Sequence, residues 1–314
     1  MTPQEAGAGQ PIVAITAFNI DRYTTVEAFL QEYRQIDLGA IELNGRVGQP
    51  VIDDLRPYVE RGEIRISSLH LFCPRPEVAG PEDLNLASPD EAARRVAVTL
   101  AMNTISAAQR LGARAVVVHP GHIPPLRPLS ERLKELYRAG EQGSARYAAV
   151  RDELGRERRA QRQPYLDAGE RSLVELAEHA AGTVPRVRLG LENNVYRHLL
   201  LLEEYDDWFE RYDGAPIGLW FDIGHAQVQE NLGLGGMEPL LQRHGRRLLG
   251  LHLHDCLGID DHLVPGTGEI DFAIVRPYLR PDVLRVLEYG SRVQPVSRIA
   301  EGVRYLREQG VLGE

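Results

Sequence analysis

Histidines and carboxylates recur in this sequence at or just beyond the ends of short apolar runs. Of the ten histidines, those in such places are His70, His119, His225, His252, His254 and His262. The acidic residues in comparable places are Glu192, Asp222, Asp255, Asp260 and Glu288. Imidazole and carboxylate groups are ligands that Zn²⁺, Mn²⁺ and Fe²⁺ accept in proteins. Because buried charges must be paired or bound to metal, the pattern predicts a divalent metal site.

Two local spacings support this prediction. Asp222 stands at the end of an apolar run, and His225 follows it three residues later. Asp260 and His262 are two residues apart, a spacing that can hold one cation from one side. Both pairs are therefore better explained as ligands of a metal site than as scattered surface charges.

The elements that position these residues follow a repeating pattern. Eight short apolar runs alternate with helical patterns, and most have turn residues around them, as buried parallel strands do. The predicted strands are Pro11–Phe18, Ala40–Asn44, Arg65–Phe72, Ala113–Pro120, Val187–Asn193, Ile217–Asp222, Leu248–His254 and Val283–Tyr289. The predicted helices are Thr25–Gln35, Ile52–Arg61, Asp90–Arg110, Arg171–Ala181, Leu202–Tyr212, Met237–Arg247, Phe272–Leu279 and Val296–Glu308.

Eight such units in 314 residues predict an α/β fold, a closed (β/α)₈ TIM barrel that forms one domain over residues 1–314. An open doubly wound sheet is the alternative. It would need a glycine-rich phosphate loop after the first strand, and Phe18-Asn19-Ile20-Asp21 offers none. In a barrel the active site lies where the carboxyl ends of the strands converge, so the histidines and carboxylates are expected to meet there.

Residues 123–168 do not fit the repeat. This segment begins with Pro124, Pro125 and Pro128 and then becomes basic and polar. It follows the fourth strand, on the expected catalytic face, and predicts a long helical insertion. Two interpretations stay open: a solvated surface helix, or a lid whose arginines meet an anionic substrate. Those arginines are Arg151, Arg156, Arg158, Arg159 and Arg162.

The composition sets the class of protein. Hydrophobic residues make up 43% and charged residues 26%, which excludes a disordered chain and a small disulfide scaffold. The formal net charge of −9 disfavours nucleic acid as a partner. The two cysteines, the absence of a signal-peptide pattern and the lack of a long apolar run predict a cytoplasmic chain with no membrane contact.

The motifs SSLHLF, VVVHPGH, LGLENN, WFDIGHAQ, GLHLHD, DDHLVPGTGEIDF and VLEYG together resemble the xylose-isomerase-like barrel superfamily. This superfamily includes sugar isomerases and epimerases and the endonuclease IV type of AP endonucleases. The resemblance implies one of two metal patterns. In the isomerase pattern, one divalent metal binds Glu192, Asp222, His252 and Glu288. In the endonuclease IV pattern, up to three metals bind nine ligands, which here are His70, His119, Glu192, Asp222, His225, His252, Asp260, His262 and Glu288.

Because all nine positions have a match, the resemblance favours a metal-dependent hydrolase that cleaves a phosphoester in a small anionic molecule. A softer likeness to the cobamide-hydrolysing branch makes the nucleotide loop of a cobamide one candidate substrate. Zn²⁺ is the expected metal, with Mn²⁺ or Fe²⁺ as alternatives. The alternative function is a sugar or sugar-phosphate isomerase or epimerase, and a non-enzymatic binding protein is a third.

Specific roles follow from that interpretation. Glu192, Glu288 and His254 are the expected catalytic residues. Asn193, Asn194 and His122 are expected to contact the substrate, with turn or loop formation as the competing role. The apolar faces of the third and eighth predicted helices belong either to the core or to a homodimer contact.

Overall fold

The predicted barrel strands all form, as shown by a computed structural model that describes residues 11–36, 38–77, 84–195, 200–290 and 296–313. In chain order the strands are β1 (Val13–Thr16), β2 (Ala40–Leu43), β3 (Arg65–His70), β4 (Ala115–Val118), β5 (Arg188–Glu192), β6 (Ile217–Asp222), β7 (Leu248–Leu253), β8 (Asp255–Leu257), β9 (Asp260–Leu263) and β10 (Leu284–Leu287). Eight of them close a parallel barrel in the order β1-β10-β7-β6-β5-β4-β3-β2. The (β/α)₈ prediction is confirmed.

The helices lie between the strands. They are α1 (Val26–Gln35), α2 (Gln49–Glu60), α3 (Glu91–Arg110), α4 (Arg127–Arg138), α5 (Ala145–Ala181), α6 (Leu202–Arg211), α7 (Ile223–Asn231), α8 (Met237–His244) and α9 (Val296–Glu308). Gly62, Gly112 and Gly310 follow three of them with φ values of 73°, 69° and 69°. A side chain is strained in that left-handed region, so glycine ends these helices at low cost.

The interior of the barrel is filled around one indole. Trp220 is fully buried and packs with small and branched residues from other strands. Gly190 and Gly250 lie on the two neighbouring strands, and a Cβ atom at either would collide with the indole ring. The Trp220 ring centroid lies 5.3 Å from that of His252. The indole therefore forms the floor beneath the carboxyl ends of the strands.

The segment after β4 contains a short 3₁₀ turn at Pro124–Leu126, then α4 and the first part of α5. The helix predicted at Arg171–Ala181 forms, but the prediction that it is a separate helix is wrong. It is the end of a single 37-residue helix. Helix α5 continues through Pro164, although proline removes one backbone N–H donor. Its later half packs on α3 and takes the place of the barrel helix that precedes β5. The insertion and that barrel helix are therefore one continuous helix.

Other elements depart from the prediction. The residues around Asp260, where no strand was predicted, form an antiparallel hairpin from β8 and β9, outside the barrel. Phe272–Tyr278 is a 3₁₀ helix that contains Pro277, where an α-helix was expected. The amino-terminal residues, on which the signal-peptide prediction rests, lie outside the described part of the chain. Among the described residues, no helix has the length and apolar character needed to cross a membrane.

Candidate metal centre

One imidazole lies at the centre of the carboxyl-end face. His252 on β7 is fully buried. Its Nδ1 lies 2.5 Å from Glu192 Oε1, 3.0 Å from Glu288 Oε2 and 3.5 Å from Asp222 Oδ2. Its Nε2 lies 2.9 Å from an oxygen of Glu42. Four carboxylates thus surround one buried ring, an arrangement that needs positive charge.

The strand register brings these groups together. Asp222 ends β6 and is the direct partner of His252 on β7. Glu192 ends β5 and pairs with Trp220 on β6. Glu288 follows β10, and its backbone N–H donates to the carbonyl of Leu253 on the adjacent strand. Parallel strands that end at one level therefore place the ligands on a common rim.

A second group lies beside the first and shares Glu192. His70 Nε2 lies 3.2 Å and His119 Nε2 2.5 Å from the same oxygen, Glu192 Oε2. His70 Nδ1 lies 2.9 Å from the carbonyl of Leu71 and can donate to it, so in the neutral ring Nε2 carries no proton and can bind a cation. A backbone carbonyl that orients a histidine in this way is typical of metal ligands.

A third group consists of His225, His254 and His262. His254 Nδ1 accepts the backbone N–H of His262 at 2.8 Å, so the proton of the neutral ring lies on Nε2. That nitrogen lies 3.0 Å from both oxygens of Asp222, to which it donates. His254, expected as a catalytic residue, is fully buried here and orients Asp222.

The structure does not bring Asp260 into these groups, in contrast to the expectation. Asp260 is exposed on β9, and its neighbour Asp261 faces the site instead. Asp261 Oδ1 accepts from His262 Nδ1 at 2.8 Å, and its Oδ2 lies 3.9 Å from His225 Nε2. The reason is local, because His262 has a φ of 58°. That left-handed residue interrupts the alternation of side chains on which an i, i+2 pair depends.

The three predicted substrate contacts have structural partners. Asn193 donates to the carbonyl of Asp222 at 2.8 Å and accepts its N–H at 2.9 Å, so it holds the end of β6 in place. Asn194 Nδ2 lies 3.4 Å from His119 Nε2. The backbone of His122 is held from both sides by the Asn85 amide. Asn193 is buried, whereas Asn194 and His122 are half-buried.

Two further buried acids lie at the site: Glu42, which was not predicted as a functional residue, and Asp255, which was among the predicted strand-end acids. Glu42 on β2 is fully buried and accepts from Ser68 Oγ at 2.6 Å, in addition to facing His252. A glutamate within the apolar run AIEL was the available signal. Asp255 accepts the backbone N–H of its neighbour Cys256 and three from the segment that follows the hairpin, those of Gly266, Gly268 and Ile270. It therefore shapes that segment.

The electrostatics reflect this crowding. Burial opposes a charge on His70, yet Glu192 raises the pKa of that imidazole to about 9. Burial also opposes a charge on His252, but Glu288 and Glu42 raise its pKa well above the ordinary value. The reverse holds for Glu192, whose pKa is lowered by His252 and His119 in spite of burial. In the metal-free chain, protons on imidazoles therefore compensate the buried carboxylates.

The donor set suits a divalent cation. Within each of three groups, ligand atoms lie within 4.8 Å of one another: His70, His119 and Glu192; Glu192, Asp222, His252 and Glu288; and His225, His254 and His262. The middle group offers three carboxylates and one imidazole, the mixture that Zn²⁺, Mn²⁺ and Fe²⁺ accept. All predicted ligands except Asp260 belong to one of these groups.

Comparison with known proteins supports the fold. An uncharacterised protein of Methanocaldococcus jannaschii is 31% identical over 206 residues, which are 63% of this chain and 57% of that protein. The match thus spans less than two thirds of that relative. A solved D-tagatose 3-epimerase-like protein is 22% identical with a TM-score of 0.65, over 96% of this chain and 97% of that one. The 3-keto-D-glucoside 4-epimerase of E. coli is 14% identical with a TM-score of 0.66, over 95% and 100%.

Other similar solved structures include an L-ribulose 3-epimerase and two proteins recorded with zinc, one soaked with ZnCl₂ and one binding a zinc atom. At identities below 25%, these likenesses show a shared barrel and no more. The family model described as "Xylose isomerase-like TIM barrel" matches residues 23–309, nearly the whole chain. With the closed eight-stranded barrel and the ligand groups at its carboxyl-end face, the chain belongs to the xylose isomerase-like TIM barrel family.

Proposed function

We propose that this chain is a divalent-metal-dependent isomerase or epimerase that acts on a sugar or sugar phosphate. The observation that carries the proposal is the group of Glu192, Asp222, His252 and Glu288, whose ligand atoms lie within 4.8 Å of one another. Each of the two glutamates in that group can bind the metal and can also exchange a proton with the substrate. Similar solved structures named as sugar epimerases support this choice of reaction.

The prediction of a phosphoester hydrolase, with a cobamide as one candidate substrate, is wrong. The similar solved structures that carry an activity in their names include D-tagatose-type, L-ribulose and D-psicose 3-epimerases and a 3-keto-D-glucoside 4-epimerase. The nine-ligand set that favoured hydrolysis is also incomplete, because Asp260 is exposed and outside the three groups. The alternative function stated from the sequence is therefore the better one.

The positions of the two glutamates suit proton transfer at carbon. Glu288 follows β10, which is the neighbour of β7 on one side. Glu192 ends β5, which lies two strands from β7 on the other side. A base on one side of a sugar carbon can remove a proton, and an acid on the other can return one. A divalent cation, when bound, would polarise the adjacent carbonyl oxygen and so acidify that carbon.

The remaining residues would position this pair. Asp222 completes the ligand group, and His254 and Asn193 hold its side chain and backbone. Glu42 would hold the His252 ring through Nε2 and leave Nδ1 for the cation. The group of His70, His119 and Glu192 supplies a place for a further cation, and we propose metal at the middle group first. In the third group both nitrogens of His254 are engaged, which leaves only His225 and His262 as ligands there.

The test is an isotope exchange assay. The zinc- or manganese-loaded protein would be incubated in D₂O with ketoses such as tagatose, psicose and ribulose and with their phosphates. We expect deuterium to enter the sugar at the carbon beside the carbonyl. Replacing Glu288 or Glu192 by Gln removes a general acid–base group, so exchange should fall by about 10²–10⁴-fold.

A matched control is Glu238→Gln, which makes the same change on α8, at an exposed position outside the three ligand groups. It should keep the wild-type exchange rate. No exchange with any ketose under any metal, or an undiminished rate in both glutamine variants, would overturn the proposal.

A further inference from the structure

A cavity of about 500 Å³ lies beside the barrel, between the insertion and the loops that follow two strands. Apolar walls come from Ile123 after β4, Leu154 on α5, Leu201 just before α6 and Leu234 after α7. These residues lie on segments that follow the carboxyl ends of strands, so the cavity opens on the catalytic side of the barrel. Its volume is within the range of about 300–1,000 Å³ that small-molecule sites occupy.

Four arginines of α5 line this cavity, against a single acidic residue, Asp152. Arg158 already has a structural partner, because it is buried and donates to both oxygens of Glu204 at 3.2 and 3.0 Å. Arg162 also donates to Glu204, at 2.6 Å, so one carboxylate serves two guanidinium groups. Arg151 lies 3.4 Å from Asp152, in an exposed pair of little strength.

The remaining two arginines are different. Arg156 and Arg159 are exposed at the cavity, and neither forms an ion pair with any part of the chain that the structure describes. They are three residues apart on one helix, which places like charges side by side at a cost. In a chain with a net charge of −9, these arginines form a local patch of positive charge. The cavity therefore combines a positive rim with an apolar wall.

We propose that this cavity binds the phosphate group of a phosphorylated small molecule, held by Arg156 and Arg159. A guanidinium group presents parallel N–H donors that match two phosphate oxygens at once. The apolar wall would contact the rest of the ligand. The cavity lining shares no residue with the three metal-ligand groups, so the site does not depend on the proposed isomerase activity.

The test is calorimetric titration of the metal-loaded protein with inorganic phosphate at constant ionic strength. The variant is Arg156→Gln/Arg159→Gln. The control is Arg146→Gln/Arg171→Gln, which makes the same charge change on the same helix at side chains 58% and 53% exposed and outside the cavity. All four arginines are exposed on the helix, and circular dichroism would verify that both variants fold.

We expect phosphate to bind the wild type and the control with equal affinity, and the cavity variant at least tenfold more weakly. Absence of phosphate binding, or equal binding to both variants, would overturn the proposal. In the second case the phosphate is bound elsewhere, for example at the metal centre.

Two sources of the phosphate are then separated by kinetics. If the phosphate belongs to the substrate, the cavity variant should raise KM for a phosphorylated ketose and leave KM for the same unphosphorylated ketose unchanged. If it belongs to a separate ligand, both KM values should stay the same while phosphate affinity falls. A protein that turns over neither ketose would refute the proposed function and leave the phosphate-binding result standing.

Discussion

At the scale of single residues, the His252 ring is held through both nitrogens. Nδ1 faces three carboxylates, while Nε2 faces Glu42, which Ser68 orients with a hydrogen bond of 2.6 Å. A carboxylate behind a ligand histidine fixes the ring and strengthens it as a donor. The buried glutamate of β2 is thus a positioning residue for the metal group, although it lies outside that group.

This arrangement makes a prediction for Glu42→Gln. The amide keeps the shape of the side chain but loses its charge, so zinc affinity should fall by about 10–100-fold. Competition with a chromogenic chelator measures that affinity. Glu60→Gln, at an exposed position on α2, is the matched control and should bind zinc as the wild type does. Unchanged affinity in both variants would refute the positioning role.

The adjacent acids of β9 offer a second test. Asp261 lies against His262 and His225, whereas Asp260 is exposed. Asp261→Asn should therefore weaken binding of any second or third equivalent of zinc, and Asp260→Asn should leave it unchanged. Elemental analysis after dialysis against graded zinc concentrations would measure both. The opposite ranking of the two variants would contradict the geometry.

The residue types of the site were predictable from the sequence, but their partners were less so. Strand-end placement was enough to bring His70, Glu192 and His252 to one rim. The position of Asp261 in place of Asp260 depends on one left-handed residue, His262. Histidine adopts that conformation more often than most non-glycine residues, but too rarely for the sequence to predict it here. The role of His254 depends on a tautomer that is set by a backbone N–H eight residues away.

At the scale of elements, the insertion is anchored to the barrel by an ion-pair network between α3 and α5. Arg94 on α3 is buried and donates to Ser172 Oγ on α5 at 3.0 Å. Its guanidinium group also lies 2.7 Å from Glu91 and 2.7 Å from Glu175. The contact ties the later half of α5 to a barrel helix, and in the first half the buried Arg158 binds Glu204 on α6.

This network predicts a pH dependence of stability. Hydrogen bonding with Arg94 lowers the pKa of Glu91 from 4.5 to about 2. A carboxyl group with a lowered pKa in the folded chain contributes stability above its unfolded pKa, and this contribution is lost as pH falls from about 4.5 towards 2. Glu91→Gln should therefore be less stable than the wild type at pH 7, with a difference that shrinks below pH 4.5.

Urea unfolding at a series of pH values would test this expectation. Glu153→Gln is a suitable control, because Glu153 is exposed on α5 and forms no ion pair with the described residues. Its difference from the wild type should not vary with pH in the same way. A difference for Glu91→Gln that stays constant from pH 7 to pH 3 would contradict the linkage.

The barrel elements were predictable because strand and helix periods alternate cleanly along the chain. The continuity of α5 was not, since the apolar stripe before Pro164 is short, consisting of Tyr147, Val150 and Leu154 in an otherwise basic stretch. That stretch therefore resembles a separate surface segment. The hairpin of β8 and β9 was also missed. It depends on Asp255, whose four backbone hydrogen bonds organise the chain as far as Ile270 and have no local sequence pattern.

At the scale of the whole molecule, the carboxyl-end face concentrates negative charge that only a cation or protons can balance. Buried carboxylates need a partner of opposite charge, so we expect metal binding to stabilise the folded state. The single-domain organisation over residues 1–314, cytoplasmic location and homodimer contact stay predictions.

This coupling predicts that a chelator destabilises the protein. A metal at 100 times its dissociation constant stabilises the folded state by about 2.7 kcal/mol, which corresponds to roughly 4 °C in Tm for a chain of this size. Differential scanning calorimetry before and after treatment with EDTA would measure the shift, and added Zn²⁺ should restore the original Tm. A Tm that is indifferent to EDTA would show that no metal supports the fold.

The indole floor of the barrel has a practical consequence. The chain has two tryptophans, and Trp220 lies edge-on to His252, with ring centroids 5.3 Å apart. A protonated imidazole quenches indole fluorescence on contact, and loading the site with a cation requires that proton to leave. In a Trp208→Phe background, the remaining emission should brighten as the site fills. The fluorescence of Trp220 would then report how far the metal centre is occupied.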